Sequence, residues 1–425
     1  MGTLQALEAK TFTHNWWEHF LSTTENLSKT SVFKNCMDRE ETEKLRNYVL
    51  EIVATLCALR TSRYGFRVYI DGVLLNTYRM NAIYDAPPLP GESMEDWVER
   101  AFGDRKFGMI INLGERFNLP LSKNIALKTQ YLFEEVGFPR EGINFTLFIG
   151  NYDKTPLGIH KDPLGQNVIH FHLGPGNKTM YTWSKELYES LTVTKKFDKQ
   201  DVEGLLPYST EFNFDEGDLY FMPEGEFHIG KQEGLSMAIT LWQYNHTRGD
   251  VAKKLQAVVF SQFFNPSNEL LLPDRNDLDD VSGVNEILST FNLSGDLQDL
   301  NFKDLMIEAY RDLRYSIHSN AGYRTSPFPK TEDHLFALED KVQSIAPYKI
   351  LYKHSLKGDK LHVFIRGIKL ELNNFHCIKK LIDTINQGEP HTVAELLGIL
   401  DQEWSDETGL YILGLLYKNH GIEKV

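Results

Sequence analysis

The hydrophobic pattern changes character three times along the chain. Residues 38–60, "DREETEKLRNYVLEIVATLCALR", set apolar positions at helical spacing behind an acidic first turn and before a closing Arg60, which predicts a helix. From about residue 66 the texture turns to short β-rich runs, "FRVYIDGVLL", "GMIINL", "INFTLFIG", "NVIHFHL", "TMYTW", "GDLYFM" and "MAITLWQ", punctuated by Gly, Pro, Asn and Asp. That is the pattern of an antiparallel sandwich or barrel. One helix interrupts it, at about residues 125–136, "IALKTQYLFEEV".

After residue 250 the period returns to helical in "VAKKLQAVVFSQFF" and "NFKDLMIEAYRDLRYSIHSN". The acidic connection between them, "PDRNDLDDVSG", fails the calcium-loop pattern because Leu278 and Asp279 stand where a ligand and a Gly are required. Beyond Pro347 a hairpin turning at Lys357-Gly358-Asp359 precedes three short helices, the middle one opened by a capping box at Thr392 and Glu395. Two strands with three helices are the make-up of a winged-helix module. The expected organisation is an N-terminal helical segment (1–65), a mainly β core (66–250), a helical segment (251–346) and a winged-helix-like unit (347–425).

Composition narrows the function classes. The 425 residues carry 45 Lys and Arg against 59 Asp and Glu, a formal net charge of −14 that makes the whole surface a poor partner for a phosphate backbone and a natural one for basic peptides. From residue 347 onward ten basic residues face ten acidic ones, so the C-terminal unit lacks the basic face of a DNA reader. Cys36, Cys57 and Cys377 are too few and too scattered for a disulfide framework or a CxxC zinc site. No apolar run approaches a membrane span, and "MGTLQALEAKTFTHNWWEHF" has no basic region followed by an apolar core; the expectation is a cytoplasmic protein with neither membrane nor nucleic acid as partner.

Chemistry concentrates in "HKDPLGQNVIHFH", residues 160–172, which holds two rival metal-ligand pairs. His160 and Asp162 are two apart, as are His170 and His172, and residues i and i+2 of a strand share a face. Downstream, "GDLYFMPEGEFHIG" fits the second cupin signature, with Gly217, Pro223, Gly225 and His228 in register: a strand ends, Pro and Gly turn, and a His is delivered from the next strand. The alternative is a hairpin whose His is merely exposed. After His172, Gly176 and Asn177 offer no carboxylate to complete a His-x-His site. His160, Asp162 and His228 need no addition, since two imidazoles and one carboxylate make the facial triad of non-haem Fe(II) oxygenases. His170 and His172 then read as imidazoles satisfied by hydrogen bonds inside the barrel or at its rim.

With these residues in view, "TPLGIHKD", "GPGNKTMYTW", "GDLYFMPEGEFHIG" and "SMAITLW" together resemble the Jumonji-C group of Fe(II)/2-oxoglutarate oxygenases, nearest to its ribosomal oxygenases and related protein hydroxylases. The resemblance implies a double-stranded β-helix, a cupin-like barrel, with Fe(II) on His160, Asp162 and His228 and with 2-oxoglutarate and O2 as co-substrates. It also implies that Lys178 binds the distal carboxylate of 2-oxoglutarate, that Thr240 assists, and that Asn167 is a further candidate contact. By analogy with those families, a helical segment and a winged helix follow the barrel, and the helical segment is a candidate homodimer interface.

The expected reaction is hydroxylation of a residue in a protein or a ribosomally made peptide. Two alternatives stay open at this point: demethylation of N-methyl-lysine by the same oxidant, and a non-catalytic cupin and winged-helix binding protein. An intact triad with a basic anchor speaks against the last.

Overall fold

The structure is a computed structural model that describes residues 11–192, 202–264, 269–271, 273, 279–291, 293, 297, 299–332, 335–356, 358–400 and 404–425. The start of the N-terminal leader reading, residues 274–278 of the acidic connection and the Lys357 corner lie outside the described residues.

The first part of the chain is mixed. Helices α1 (His14–Thr23) and α2 (Arg39–Leu59) flank a short strand, β1 (Ser31–Phe33), inside the segment expected to be helical. Asp38 caps α2 by accepting from the Glu41 N–H, and Arg60 ends it in the left-handed conformation, so both boundaries fall where the sequence put them. Strands β2 (Arg67–Ile70) and β3 (Val73–Leu74), helices α3 (Thr77–Tyr84) and α4 (Met94–Phe102), and β4 (Phe107–Ile111) follow. Helix α5 (Leu119–Val136) begins six residues ahead of its expected start, because Asn118 caps the Leu121 N–H and Pro120 sits in the first turn, where a missing N–H costs nothing.

Eight strands then alternate between two antiparallel sheets: β5 (Ile143–Gly150), β6 (His160–Lys161), β7 (Gln166–Pro175), β8 (Lys178–Trp183), β9 (Thr210–Phe214), β10 (Leu219–Met222), β11 (Phe227–Gln232) and β12 (Ser236–Tyr244). The larger sheet has the order β1-β10-β7-β12-β5-β4-β2-β3, the smaller β6-β11-β8-β9. The chain therefore crosses from sheet to sheet at almost every turn, which makes a jelly-roll-like core. One face of the large sheet packs on α1, α2, α4 and α5 through Phe171, Phe221, Ile239, Leu241, Phe145 and Leu147, all essentially inaccessible. The opposite face looks toward the small sheet across a cavity.

Behind the core, α8 (Arg248–Phe263) opens on the "RGD" tripeptide with Thr247 as its cap, and it packs against α10 (Phe302–Ser319) through Leu255, Val259 and Leu305. Between β8 and β9 lie α6 (Lys185–Leu191) and α7 (Val202–Leu205), and α9 (Val284–Leu288) precedes α10. The C-terminal unit has its own core, with Leu361, Val363, Ile378, Leu381, Val393 and Leu413 buried. Its expected hairpin, β14 (Leu351–His354) with β15 (Lys360–Ile365), gains a third strand, β16 (Ile368–Asn373), whose alternating pattern marks a half-exposed strand. Helices α11 (His376–Ile385), α12 (Val393–Leu397) and α13 (Asp406–Lys418) follow, and the capping box between Thr392 and Glu395 is present. Strand β13 (Lys341–Ser344), upstream of the boundary expected at 347, pairs with β17 (His391–Thr392) and β18 (Ile422–Lys424), so the unit reaches back to that strand.

Among the described residues, no helix is long and apolar enough to cross a membrane. The three cysteines are buried.

Candidate metal centre and cavity

Strand parity decides what faces the cavity. On β12, Thr240 and Trp242 point one way while Ile239 and Leu241 point into the apolar core; on β7, Gln166, Val168 and His170 alternate with Ile169 and Phe171. The cavity measures about 810 Å³ and takes its other wall from His160, Asp162, Lys178, Met180, His228 and Gly230 of the small sheet and its turns.

His160 and His228 are direct partners on the antiparallel strands β6 and β11. Their ring centroids are 4.3 Å apart, and Asp162 Oδ2 lies 3.8 Å from His228 Nε2. One donor atom from each of the three residues falls within a sphere of mutual distances no greater than 4.8 Å. The turn that delivers His228 crosses between the sheets at "PEGE", where Gly225 adopts a φ of +88°, a conformation a side-chain-bearing residue resists.

The surroundings fix the ligand atoms. His160 Nδ1 lies 2.9 Å from the Gly158 carbonyl and His228 Nδ1 3.3 Å from the Glu226 carbonyl. A nitrogen bonded to a carbonyl must carry the proton, so the lone pair of each ring sits on Nε2, as a metal ligand requires. Burial, together with the neighbouring imidazole at His160, holds both rings below the usual histidine range, His228 at about 4, so both are neutral at pH 7. The same burial pushes the Asp162 carboxyl up, and its Oδ2 is buried without a hydrogen-bond partner. A divalent cation would satisfy that oxygen and offset the effect of burial on the carboxylate; the donor set of two imidazoles and one carboxylate fits Fe(II).

Lys178, the first residue of β8, is 6% exposed. Among the described residues no carboxylate lies within ion-pair reach of it, and burial lowers its ammonium to about 8. Its stem crosses Gly230, two residues beyond His228: a Cβ there would lie 3.0 Å from Thr155 Oγ1, 3.1 Å from Met180 Sδ and 3.2 Å from Lys178 Cε. Gly230 is the space that lets the lysine reach the cavity. Thr155 is strapped to the Gly230 carbonyl at 3.1 Å and bonds the Tyr152 phenol, whose burial pushes it up to about 12. Thr155 and Tyr152 escaped the sequence reading because they sit in a loop with no periodicity to place them.

Of the remaining sequence candidates, Thr240 lines the cavity, with its hydroxyl 2.9 Å from His170 Nδ1. Asn167 does not: it lies on the other face of β7, donating to Gln243 Oε1 at 3.5 Å and accepting from the Glu224 N–H at 3.0 Å. Its neighbour Gln166 takes the cavity-facing position, as period-2 alternation demands.

The rival pair splits. His172 is wholly buried, bonded through Nε2 to the Gly176 carbonyl at 2.8 Å, and is not part of the cavity wall. His170 faces the cavity between Thr240 and Tyr220 on the adjacent strands. Its Nε2 and the Tyr220 hydroxyl are buried without partners, which calls for water or a bound polar molecule beside them. The expectation that hydrogen bonds satisfy both rings holds for only one nitrogen of each.

A second cluster of potential ligands, Glu308, Asp312 and His362, joins α10 to the C-terminal sheet. Its carboxylates are already neutralised: Lys353 Nζ contacts Glu308 and lies 2.7 Å from Asp312, Lys369 lies 2.7 Å from Asp312, and Arg311 3.1 Å from Glu308. An ammonium stands where a cation would, so this cluster is an ion-pair network.

No protein-family model matches the chain, and no curated protein matches it by sequence. Among solved structures, E. coli ycfD is similar at 13% identity and a TM-score of 0.49, covering 96% of this chain and 98% of that one. The E. coli ribosomal oxygenase YcfD in complex with cobalt and 2-oxoglutarate is similar at 13% identity and a TM-score of 0.48, and its complex with cobalt and succinic acid at 12% and 0.48, each over 96% of this chain and 98% of that one.

Proposed function

We propose that the chain is an Fe(II)- and 2-oxoglutarate-dependent oxygenase that hydroxylates a residue of a protein or ribosomally made peptide. One observation carries this reading: a two-His, one-carboxylate set and a buried lysine that has no carboxylate partner among the described residues share the wall of one cavity. A structural lysine at 6% exposure would be paired; an unpaired one is explained by an anionic ligand that is absent.

When bound, Fe(II) and 2-oxoglutarate supply the oxidising power for C–H hydroxylation, with succinate and carbon dioxide as by-products. His160, Asp162 and His228 would hold the metal. Lys178, with Thr155 beside it, would hold the far carboxylate of 2-oxoglutarate and so fix its orientation. The Gly158 and Glu226 carbonyls keep each imidazole in the metal-binding tautomer. The wall of Val168, Met180, Met222 and Trp242 limits water at the reacting end.

The proposal extends to architecture: the two sheets form a double-stranded β-helix, residues 347–425 with the added β13 form a winged-helix-like unit, the helical segment serves a homodimer, and the enzyme works in the cytoplasm. The neutral balance of the last unit favours docking or dimerisation over groove binding.

The test is to load the protein anaerobically with Fe(II), add 2-oxoglutarate and oxygen, and measure succinate. Turnover that disappears in Asp162→Ala supports the reading. An absence of both succinate and 2-oxoglutarate binding would leave a non-catalytic barrel.

A further inference from the structure

The charge of the cavity runs opposite to that of the chain. The protein carries −14 overall, yet the charged residues lining the cavity beyond Asp162 and Lys178 are Arg63, Arg67 and Arg324. They arrive from three separate places. Arg63 is in the exposed loop before β2. Arg67 opens β2, paired to the cavity-lining Ile110 of β4. Arg324 follows α10, tied to β5 by its backbone N–H on the Ile143 carbonyl at 2.9 Å.

None of the three has a carboxylate within ion-pair reach among the described residues. Arg67 Nε is buried without a hydrogen-bond partner. The Arg324 guanidinium sits 4.2 Å over the Tyr244 ring, which orients it without neutralising it. Glu115, the acid beneath this region, is spent on the Phe145 N–H at 3.2 Å and the Thr325 hydroxyl. Arginines that serve only structure or solubility are paired or point outward; these line a cavity and leave a buried donor unused.

On the oxygenase reading, the formal charges of Fe(II), Asp162, Lys178 and the 2-oxoglutarate dianion cancel at the inner end. The three guanidiniums stay unbalanced. We propose that the substrate of this site carries a carboxylate, held by Arg67 and Arg324 with Arg63 at the exposed rim. A planar guanidinium matches a carboxylate through two parallel hydrogen bonds, and partial burial of Arg67 strengthens them. This inference rests on the oxygenase reading and names its substrate class. The carboxylate comes from an Asp or Glu of a peptide or from a free carboxylic acid; both present the same group to the same donors.

The experiment uses the full chain loaded anaerobically with Mn(II) and 2-oxoglutarate, so that binding is measured apart from turnover. Fluorescein-labelled decapeptides of Ala and Gly with interspersed Asp and Glu are compared by anisotropy with matched Asn/Gln and Lys versions, and 3-phenylpropionate is tested by calorimetry as a free acid. The expected result is binding of the acidic set at least roughly tenfold tighter than the amide set, a preference that shrinks on adding salt. Arg67→Gln with Arg324→Gln should erase that preference, and the double Glu replacement should shift it to the Lys set. Binding of 3-phenylpropionate alone supports the proposal with a free acid as the source. Equal binding of the amide set, tighter binding of the Lys set by the unaltered protein, or binding of no probe overturns it. Succinate formation is read separately, on the same protein loaded with Fe(II) and given 2-oxoglutarate and oxygen: acid preference without succinate refutes the oxygenase reading, and succinate without acid preference refutes the substrate assignment.

Discussion

His160 and His228 stand directly opposite one another on two antiparallel strands, ring centroids 4.3 Å apart, each turned by a backbone carbonyl so that its Nε2 carries the lone pair. Two imidazoles brought together this way, with an unsatisfied carboxylate beside them, offer a complete set of donors for one cation. Asp162→Ala should therefore weaken Mn(II) or Fe(II) binding by at least roughly tenfold and remove most succinate formation. Calorimetric titration with Mn(II) checks the first outcome without relying on turnover. Unaltered affinity would move the metal elsewhere.

Metal binding should also depend on pH in one direction. Burial holds the Asp162 carboxyl above its usual range in the metal-free protein, so a proton competes with the cation as the pH falls. Affinity for Mn(II) is expected to drop between about pH 7 and about pH 5, with proton release on binding at the lower end. Titrations in two buffers of different ionisation enthalpy measure that release.

Lys178 sets stability against function. Its ammonium is buried, unpaired and lowered to about 8, so in the ligand-free fold it is a cost that Met would remove. Lys178→Met should stabilise the ligand-free protein by about 1–2 kcal/mol while abolishing 2-oxoglutarate binding. A group with a depressed lysine pKa keeps its charge below about 8 and loses it above, so 2-oxoglutarate affinity of the unaltered protein should fall as the pH rises through that value. In the ligand-free protein the unfolded chain binds the extra proton above that point, and the cost of the buried charge fades as the pH rises. Thermal melts and 2-oxoglutarate titrations on the same two proteins test both halves.

Gly230→Ala would press on Thr155, Met180 and the Lys178 stem, each 3.0 to 3.2 Å from the added carbon. All three are side chains able to shift by a few tenths of an ångström, so the fold should lose only about 1 kcal/mol. The expected change is a raised KM for 2-oxoglutarate with Mn(II) affinity intact. A variant with both unchanged would separate Gly230 from the anchor.

The second ligand cluster gives the opposite expectation. Lys353, bridging Glu308 and Asp312, leaves no place for an ion, so metal titration of the full chain should saturate at one ion and that ion should vanish in Asp162→Ala. Lys353→Met strips the buried carboxylates of their central partner and should cost about 3–5 kcal/mol, read as a lower melting temperature.

The sequence and the fold agree best where period and turn chemistry act together. The alternation in "NVIHFHL" and "MAITLWQ" and the Pro-x-Gly turn before His228 locate their strands and put His160, Asp162 and His228 in one place. Strands β1, β6 and β9 were not foreseen; at two to five residues they are too short for alternation to register. Asn167 fails for a different reason: the resemblance supplied a residue type, while parity on β7 gives the cavity to Gln166 and His170. Net charge is silent on the cavity, since an average over 425 residues says nothing of which side chains a cavity collects. Three arginines from three distant segments line one cavity, and no short window of sequence contains them.

The alternation of strands between the two sheets divides the cavity's work by wall. The small sheet and its turns bear His160, Asp162, His228, Gly230 and Lys178; the large sheet and the segments at its edge bear Arg67, Trp242, Tyr244 and Arg324. On the proposed reading, reactivity and recognition are mounted on separate supports. A relative could exchange the recognising wall, and with it the molecule it modifies, without disturbing a single atom that holds the metal.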